Sequence, residues 1–502
     1  MKRLLAVILL ISLFATPSLL FAKKKKLPPQ YDTSAVAPVP CIYNASAMKL
    51  LIDKKEIYSN VIEMLEMAEH EIILNMYLFG GDDNIYAEPE GYIGIGKHVI
   101  DIMARKIAKA KEEGRTFRVR LITPKPSGMV EKQKKLNSTI KRVREKLRHI
   151  LKMKPLPPPV EPPYEPIYDY AEDMGIPLLP SNVDALYIEH GASWRLDHSK
   201  LLVIDGKEAL IGGMNFAETV ASNHDAMTRI CGPIVKECKA LFTNAWHFAV
   251  AQAERRGLPV PEDYKDLESL AACDDSVIKA HEQKRLNEGW EMGEVRLTLT
   301  APWVRNTRQP CLDMLASCEP GDQVMMQMLL LTDEPCIQAM VDAHNRGVNV
   351  RVILDPNHSL YGVNCMGAPN ILAVKPFLEN KLPIRNFSPD DAGQELHMKL
   401  VIVKRKNGEM EFAMGSTNWT YGAFESNWEI FAFYKNCPQM CQRLVDMFEH
   451  DWANRTHLPG REITSKGFLG LKKLTEEERY REITKLQKFI HVFLKEHHEK
   501  WF

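Results

Sequence analysis

The clearest chemical signal in this sequence is a His-x-Lys triplet that occurs once in each half of the chain. His198 and Lys200 form the first triplet, and His397 and Lys399 form the second. Residues two apart on an extended strand point to the same face, so each triplet sets an imidazole beside an ammonium group. Histidine acts as a nucleophile or as a general acid and base, and lysine binds anions. Two such pairs facing each other could catalyse an acid–base reaction on an anionic substrate.

Each triplet begins a predicted β-hairpin, and this shared context distinguishes the two triplets from chance matches. In the first copy the apolar run 201–204 leads to the turn pair Asp205-Gly206, and in the second an apolar run leads to Asn407-Gly408. The hairpins close on glycine and asparagine in similar order, at Gly212, Gly213 and Asn215 in the first copy and Gly415, Ser416 and Asn418 in the second. The repeat indicates a duplicated unit.

At these residues the sequence resembles the phospholipase D superfamily, whose signature is His-x-Lys, four residues, Asp, then Gly and Asn downstream. The first copy matches it, with Asp205 in the Asp position, but Gly213 replaces the usual Ser. The second copy keeps Ser416, but Lys404 stands where Asp is expected and the hairpin is longer. Because Asp205 is also a turn residue, and Asn407 takes that position in the longer hairpin, we attribute the missing Asp to hairpin length.

The resemblance implies hydrolysis or transfer of a phosphodiester. It assigns His198 as nucleophile and His397 as general acid and base, and the similarity of the two copies leaves the reverse order open. A neutral imidazole can attack phosphorus, and an imidazolium opposite can protonate the departing alcohol. The predicted donors to the phosphoryl oxygens are Lys200, Lys399, Asn215 and Asn418. The predicted carboxylates that orient the rings are Asp225 and Glu429. Gly213 and Ser416 are the predicted substrate contacts. No metal ion or other cofactor is expected.

Strand and helix patterns repeat around the two hairpins. The predicted segments are helix 55–68, strand 71–79, helix 97–113 and strand 117–123 in the first half, and helix 309–318, strand 322–330, helix 334–345 and strand 348–354 in the second. After the hairpins, Ser222–Asp225 corresponds to Ser426–Glu429, and the Phe242/Trp246 pair to Phe448/Trp452. This pattern predicts an α/β fold of two pseudo-symmetric α/β/α sandwich lobes, each with a central mixed sheet, which the resemblance also implies.

The chain divides into five predicted segments and one insertion. They are a signal peptide or anchor at 1–22, a first lobe at 35–256 with a basic insertion at 129–180, a linker at 257–292, a second lobe at 293–460 and a C-terminal amphipathic helix at 470–502. The insertion contains a basic amphipathic helix at 130–153, which either docks on the body or faces a membrane or nucleic acid. The C-terminal helix is expected to pack on the body.

The N-terminal sequence and the cysteines indicate where in the cell the protein is located. Lys2-Arg3 followed by the apolar run 4–14 is typical of an export signal, which predicts a periplasmic, envelope or secreted protein. The basic run Lys23–Lys26 leaves an uncleaved membrane anchor as the alternative. The ten cysteines are scattered without zinc spacing, and we expect mostly core thiols with at most one or two disulfides.

Three functions remain open at this point. The first is an exported phosphodiesterase of phospholipase D type that acts on phospholipid at a membrane surface. The second is a nuclease-type phosphodiesterase, and the third is a non-catalytic descendant that binds only. Lipid is favoured over nucleic acid because of the predicted export signal and the predicted basic insertion helix. The formal net charge of zero also argues against a protein that must follow a nucleic-acid phosphate backbone.

Overall fold

The computed structural model describes residues 39–80, 94–123, 174–175, 178–180, 197–217, 220–255, 274–301, 303–356, 369–388 and 394–458. The predicted signal peptide or anchor at 1–22, the predicted insertion helix at 130–153 and the predicted C-terminal helix at 470–502 lie outside these residues. Within the described part of the chain, no helix combines the length and the apolar character needed to cross a bilayer.

The secondary structure follows the predicted order in both halves, with ends shifted by a few residues. The first half and the connection contain β1 (Asn44–Ile52), α1 (Asp53–Met67), β2 (Glu71–Met76), α2 (Ile95–Glu112), β3 (Arg118–Thr123), β4 (Leu178–Pro180), β5 (Lys200–Ile204), β6 (Glu208–Gly212), β7 (Ala226–Cys231), α3 (Ile234–Arg255) and α4 (Asp275–Asn287). The second half contains β8 (Glu291–Ala301), β9 (Val304–Arg305), α5 (Arg308–Ala316), β10 (Gln323–Met328), α6 (Glu334–Asn345), β11 (Asn349–Leu354), α7 (Ile371–Glu379), β12 (Ile384–Phe387), β13 (Lys399–Lys404), β14 (Met410–Gly415), α8 (Tyr421–Glu425), β15 (Glu429–Lys435), α9 (Pro438–Asn454) and β16 (Thr456–His457).

The described strands form one large mixed sheet. Its first-half block runs β4-β3-β2-β5-β6-β7-β1, and its second-half block runs β12-β11-β10-β13-β14-β15-β8. The α/β class and the mixed sheet are therefore confirmed. The predicted separate sheets of the two lobes are joined, because β1 pairs antiparallel with β8. A two-fold axis relating the halves stays a prediction.

Helices cover both faces of this sheet, so its central strands are apolar on both sides. Leu201 and Val203 of β5 lie in the core that contains residues of α3 and α9. Leu202 and Ile204, which point to the opposite face, lie in the core formed with α1 and α2. In the second half α5, α6 and α7 cover that opposite face. The hairpin that carries the first triplet is thereby fixed between two packed layers.

Part of the predicted linker is helical. The helix α4, Asp275–Asn287, lies inside the range 257–292, which the sequence predicted to be a linker. It is held by buried charges, since Glu208 accepts hydrogen bonds from Arg285 and His281 at 2.5 Å each, and from Arg229 at 2.6 Å. This helix is anchored by ion pairs and lacks an apolar period, so its sequence pattern did not predict it.

The cysteines of the described residues are free thiols. Seven of these eight side chains are buried, and Cys41 is half-buried. The expectation of mostly core thiols is confirmed for this part of the chain.

The signature Asp of the first hairpin anchors that hairpin to the neighbouring strand. Asp205 has a φ of +49° and Gly206 a φ of +62°, as a tight two-residue turn requires. The Asp205 carboxylate accepts hydrogen bonds from the backbone N–H groups of Glu69 at 2.9 Å and of His70 and Glu71 at 2.8 Å. It therefore ties the turn to the start of β2.

The second hairpin is also held by a carboxylate, but here the carboxylate lies before the neighbouring strand and binds the hairpin turn. Asp322, just before β10, accepts hydrogen bonds from the backbone N–H groups of Lys406 and Glu319 at 2.9 Å each. Its carboxylate is also 3.2 Å from Arg405 Nη1. Asp322 thus supplies the carboxylate that is missing at position 404. This agrees with the longer hairpin as the reason why Lys404 replaces the signature Asp.

We predict that Asp205→Ala lowers the free energy of unfolding by roughly 3 kcal/mol, because three backbone N–H groups lose a charged acceptor. Urea unfolding followed by circular dichroism measures this change. The contrasting variant is Lys404→Asp, which restores the signature residue and should change the free energy of unfolding by less than about 0.5 kcal/mol. A large stabilisation by Lys404→Asp would mean that Asp322 does not anchor the second hairpin.

Candidate active site

The two triplets meet at one site, where each histidine pairs with a carboxylate from the other half of the chain. His198 Nδ1 lies 3.0 Å from Glu429 Oε2, and His397 Nδ1 lies 2.5 Å from Asp225 Oδ2. All four side chains are buried. The sequence predicted both carboxylates as ring partners, and the structure adds that the pairing is crossed.

Backbone hydrogen bonds hold the same residues together across the halves. The N–H of His198 donates to the carbonyl of Trp428 at 2.9 Å, and the N–H of His397 donates to the carbonyl of His224 at 2.9 Å. Trp428 and His224 directly precede Glu429 and Asp225. The segment that binds each histidine ring therefore also fixes the backbone of that histidine, so the ring and the carboxylate move as one unit.

Both lysines are buried beside their histidines. Lys200 Nζ donates to the carbonyl of His198 at 2.7 Å, and Lys399 Nζ donates to the carbonyl of His397. Lys200 Nζ also lies 4.9 Å from the centre of the Tyr77 ring, which is 4.8 Å from the centre of the His198 ring. Tyr77 was not predicted from the sequence, because no motif identifies an aromatic residue just after β2.

The two asparagines have different surroundings. The side-chain oxygen of Asn215 accepts a hydrogen bond from the N–H of Leu78 at 3.2 Å, which leaves its amide N–H groups as donors. Within the described residues the buried side-chain oxygen of Asn418 has no hydrogen-bond partner. Their expected contacts with phosphoryl oxygens stay predictions.

Gly213 and Ser416 occupy matching positions next to the two carboxylates. A Cβ atom at Gly213 would lie 2.2 Å from Asp225 Oδ1, so no side chain fits there. The Ser416 hydroxyl donates to Glu429 Oε2 at 2.5 Å, the atom that also binds His198. The departure from the signature at 213 is therefore accommodated by the packing of Asp225. Direct contacts of these two residues with substrate stay predictions.

Burial controls the protonation of the site. Burial and the positive charges of Lys200 and Lys399 hold the pKa of His198 well below its ordinary value. Burial and the charge of Lys399 lower the pKa of His397 to about 3. Both imidazoles are therefore neutral near pH 7, as a nucleophile must be. Since a carboxylate takes Nδ1 of each ring, Nε2 is the nitrogen available for chemistry.

The other charged groups of the site are shifted for the same reason. Burial lowers the pKa of Lys399 to about 8 against the opposing charges of Asp225 and Glu429. Burial also raises the pKa of Glu429 to about 7, although Lys200 opposes this. Groups that titrate close to neutral pH and face one another are typical of sites that move protons.

Parts of the chain are similar to known proteins. A family model described as "Cardiolipin synthase, PLD-like domain" matches residues 311–452. A cardiolipin synthase of Alkalihalophilus pseudofirmus is 24% identical over 216 residues, which cover 41% of this chain and 33% of that protein. The match thus spans about a third of that relative's length.

Two solved structures extend the comparison. Phosphatidylserine synthase from Haemophilus influenzae has a TM-score of 0.50 at 12% identity, over 90% of this chain and 94% of that chain. NUC, a phospholipase D family member from Salmonella typhimurium, has a TM-score of 0.28 at 22% identity, over 33% of this chain and 99% of that chain. The first likeness shows a shared fold. The family-model match at 311–452 and the two His-x-Lys hairpins are further similarities to the phospholipase D superfamily.

We predict that the site binds a phosphodiester anion less tightly as the pH rises through about 8, because Lys399 then loses its charge. Above that pKa the charged fraction falls about tenfold per pH unit. Calorimetric titration with dimethyl phosphate measures the change, since the charge of this ligand is constant over the range. Lys399→Arg, which stays charged, should flatten the pH dependence. A wild-type affinity that is constant from pH 7 to 10 would contradict the assignment of Lys399.

Proposed function

We propose that this protein is a phosphodiesterase of phospholipase D type that hydrolyses or transfers phosphatidyl groups through a phosphohistidine intermediate. The observation that carries the proposal is the crossed pairing of His198 with Glu429 and of His397 with Asp225. Two equivalent imidazoles, each oriented by a carboxylate, match the needs of a reaction that requires a nucleophile and a proton donor in turn.

In the first step Nε2 of one histidine attacks phosphorus while the bond from phosphorus to the leaving oxygen breaks. We assign His198 to this role by resemblance. His397 takes up a proton at Nε2 when the phosphodiester anion binds, and the leaving alcohol takes this proton from the imidazolium. In the second step a water or an alcohol gives its proton back to His397 and attacks phosphorus. The phosphorus–nitrogen bond then breaks and His198 returns to its neutral form.

The buried lysines fit the charge of such a substrate. A bound phosphodiester anion offsets the positive charges of Lys200 and Lys399, which are among the causes that lower the histidine pKa values. Substrate binding therefore raises the pKa of the proton-donating histidine toward its ordinary value. Lys200, Lys399 and the amide groups of Asn215 and Asn418 are the proposed donors to the phosphoryl oxygens.

Phospholipid is the proposed substrate class. The family model and the curated relative both carry the description cardiolipin synthase, which supports a phosphatidyl group over a nucleic-acid strand. The formal net charge of zero agrees with this choice. Export and contact with a membrane surface are part of the same proposal, and they rest on the N-terminal sequence and on the basic insertion at 130–153.

We predict that His198→Ala and His397→Ala each lower kcat at least about a hundredfold, because the two imidazoles act as one unit and their effects do not add. The double variant should be no slower than the worse single variant by more than a few-fold. His70→Ala is the matched control, since that side chain is exposed. More than about a hundredth of the activity left in either single variant would exclude the paired-histidine mechanism.

We predict that the purified protein releases the head group of phosphatidylglycerol vesicles, or exchanges it for an added primary alcohol, and that EDTA leaves the rate unchanged. The same preparation is offered single- and double-stranded DNA, with the His397→Ala protein as the blank in every assay. Cleavage of DNA alone, absent from the variant, would replace lipid by nucleic acid as the substrate. Loss of activity in EDTA, restored by added metal, would exclude the lysine-based mechanism. No turnover of either substrate would support a binding descendant.

A further inference from the structure

His224 is a third buried histidine next to the site, and both of its ring nitrogens are bound by carboxylates. Nδ1 lies 2.8 Å from Asp53 Oδ1, and Nε2 lies 2.8 Å from Asp451 Oδ2. The ring also stacks on Phe387, with 5.6 Å between ring centres and 2° between the planes. A ring with an acceptor at each nitrogen must donate from both, so this imidazole is charged. Although burial opposes it, hydrogen bonds to Asp451 and Asp53 raise the pKa of His224 to about 9.

This arrangement joins segments that are distant in the chain. Asp53 begins α1 with a φ of +60°, and its N–H donates to the carbonyl of Asp225 at 2.9 Å. The N–H of Asp225 donates in return to Asp53 Oδ1 at 3.1 Å. Asp451 belongs to α9 and also accepts a hydrogen bond from Gln327 at 2.7 Å. His224 thus connects α9 of the second half to the start of α1 in the first.

The backbone of the same residue pairs with Leu396, which directly precedes His397. The N–H of His224 donates to the carbonyl of Glu395, and its carbonyl accepts from the N–H of His397, both at 2.9 Å. The next residue, Asp225, holds the His397 ring. Movement of His224 would therefore displace both the backbone and the ring partner of His397.

In the second half of the chain a different residue, Trp428, supports the backbone of the catalytic-site histidine His198. Trp428 occupies the position that corresponds to His224, and its carbonyl accepts from the N–H of His198 at 2.9 Å. Its side chain packs against Trp303 and Phe248, with ring centres at 5.1 and 5.6 Å. An apolar side chain is thus compatible with this position of the fold. The charged histidine at 224 is a specific feature of the His397 side.

We infer that His224 is a positioning residue for His397, which it aligns through its two ion pairs and through the adjacent Asp225. This inference rests on the proposed function only for its kinetic consequence. A misplacement of a catalytic group by about 1 Å can cost a factor of about a hundred in rate. Loss of the ion pairs should therefore reduce kcat more than it changes KM, because substrate binding to the lysines is retained.

The test compares His224→Gln with His281→Gln in the full chain. Both variants remove an ion-paired histidine, but His281 binds Glu208 on the connecting helix α4. We expect His224→Gln to lower kcat on phosphatidylglycerol vesicles between about tenfold and a hundredfold, with KM within a few-fold. His281→Gln should leave kcat within about twofold. If His224→Gln does not fold, Asp53→Asn provides the second variant, because it keeps the oxygen that binds Asp225 N–H and removes the charge.

A spectroscopic readout separates this inference from the proposed reaction. Nuclear magnetic resonance of ¹⁵N-histidine-labelled protein, without substrate, reports the His397 tautomer, and the spectrum of His397→Ala identifies its signals. We expect a single tautomer protonated at Nδ1 in the wild type and a mixture in His224→Gln. Unchanged His397 signals in that variant, or an equal loss of kcat in His281→Gln, would overturn the inference. An inactive wild type with the predicted change in the His397 signals would refute the reaction and support the positioning role.

Discussion

The structure depends on the crossed contact of two buried histidines with two buried carboxylates. Each ring belongs to one half of the chain and its partner to the other, so neither half alone pairs His198 or His397 with its carboxylate. A buried imidazole needs a hydrogen-bond acceptor at its N–H group, and that need is met only when the halves are assembled. The joining of the two strand blocks through β1 and β8 keeps the pairs in register.

Burial has a second consequence for chemistry. Two lysines, two imidazoles and two carboxylates share a space that excludes most water, so each charge acts strongly on the others. Burial and the lysine charges together lower the pKa values of both imidazoles and keep them neutral, and the carboxylates offset part of the lysine charge. The site therefore responds to an anionic ligand as a unit. In the proposed reaction, hydrolysis or transfer depends on whether water or an alcohol reaches phosphorus next.

The sequence could predict the elements whose pattern is repeated or periodic. The His-x-Lys triplets, the turn pairs and the apolar strands were all recognisable, because spacing alone determines which face a side chain takes. Interactions between distant charges left no such pattern. The helix α4 is held by Glu208, and its sequence was interpreted as a linker. Tyr77 and the Asp53–His224–Asp451 cluster were missed because their partners are far apart in the chain.

The two halves also show which parts of the repeated unit are constrained. The imidazole, ammonium and carboxylate groups recur at equivalent places, whereas the residues that support them differ. Asp205 anchors the first hairpin and Asp322 the second, from opposite strands. Trp428 supports one histidine through aromatic packing, and His224 supports the other through charge. What the fold requires of the supporting positions is a fixed backbone, and several side chains satisfy that requirement. A departure from the signature at a supporting position such as Lys404 is therefore weak evidence against catalysis, whereas a change at either histidine would remove a group that the proposed reaction requires.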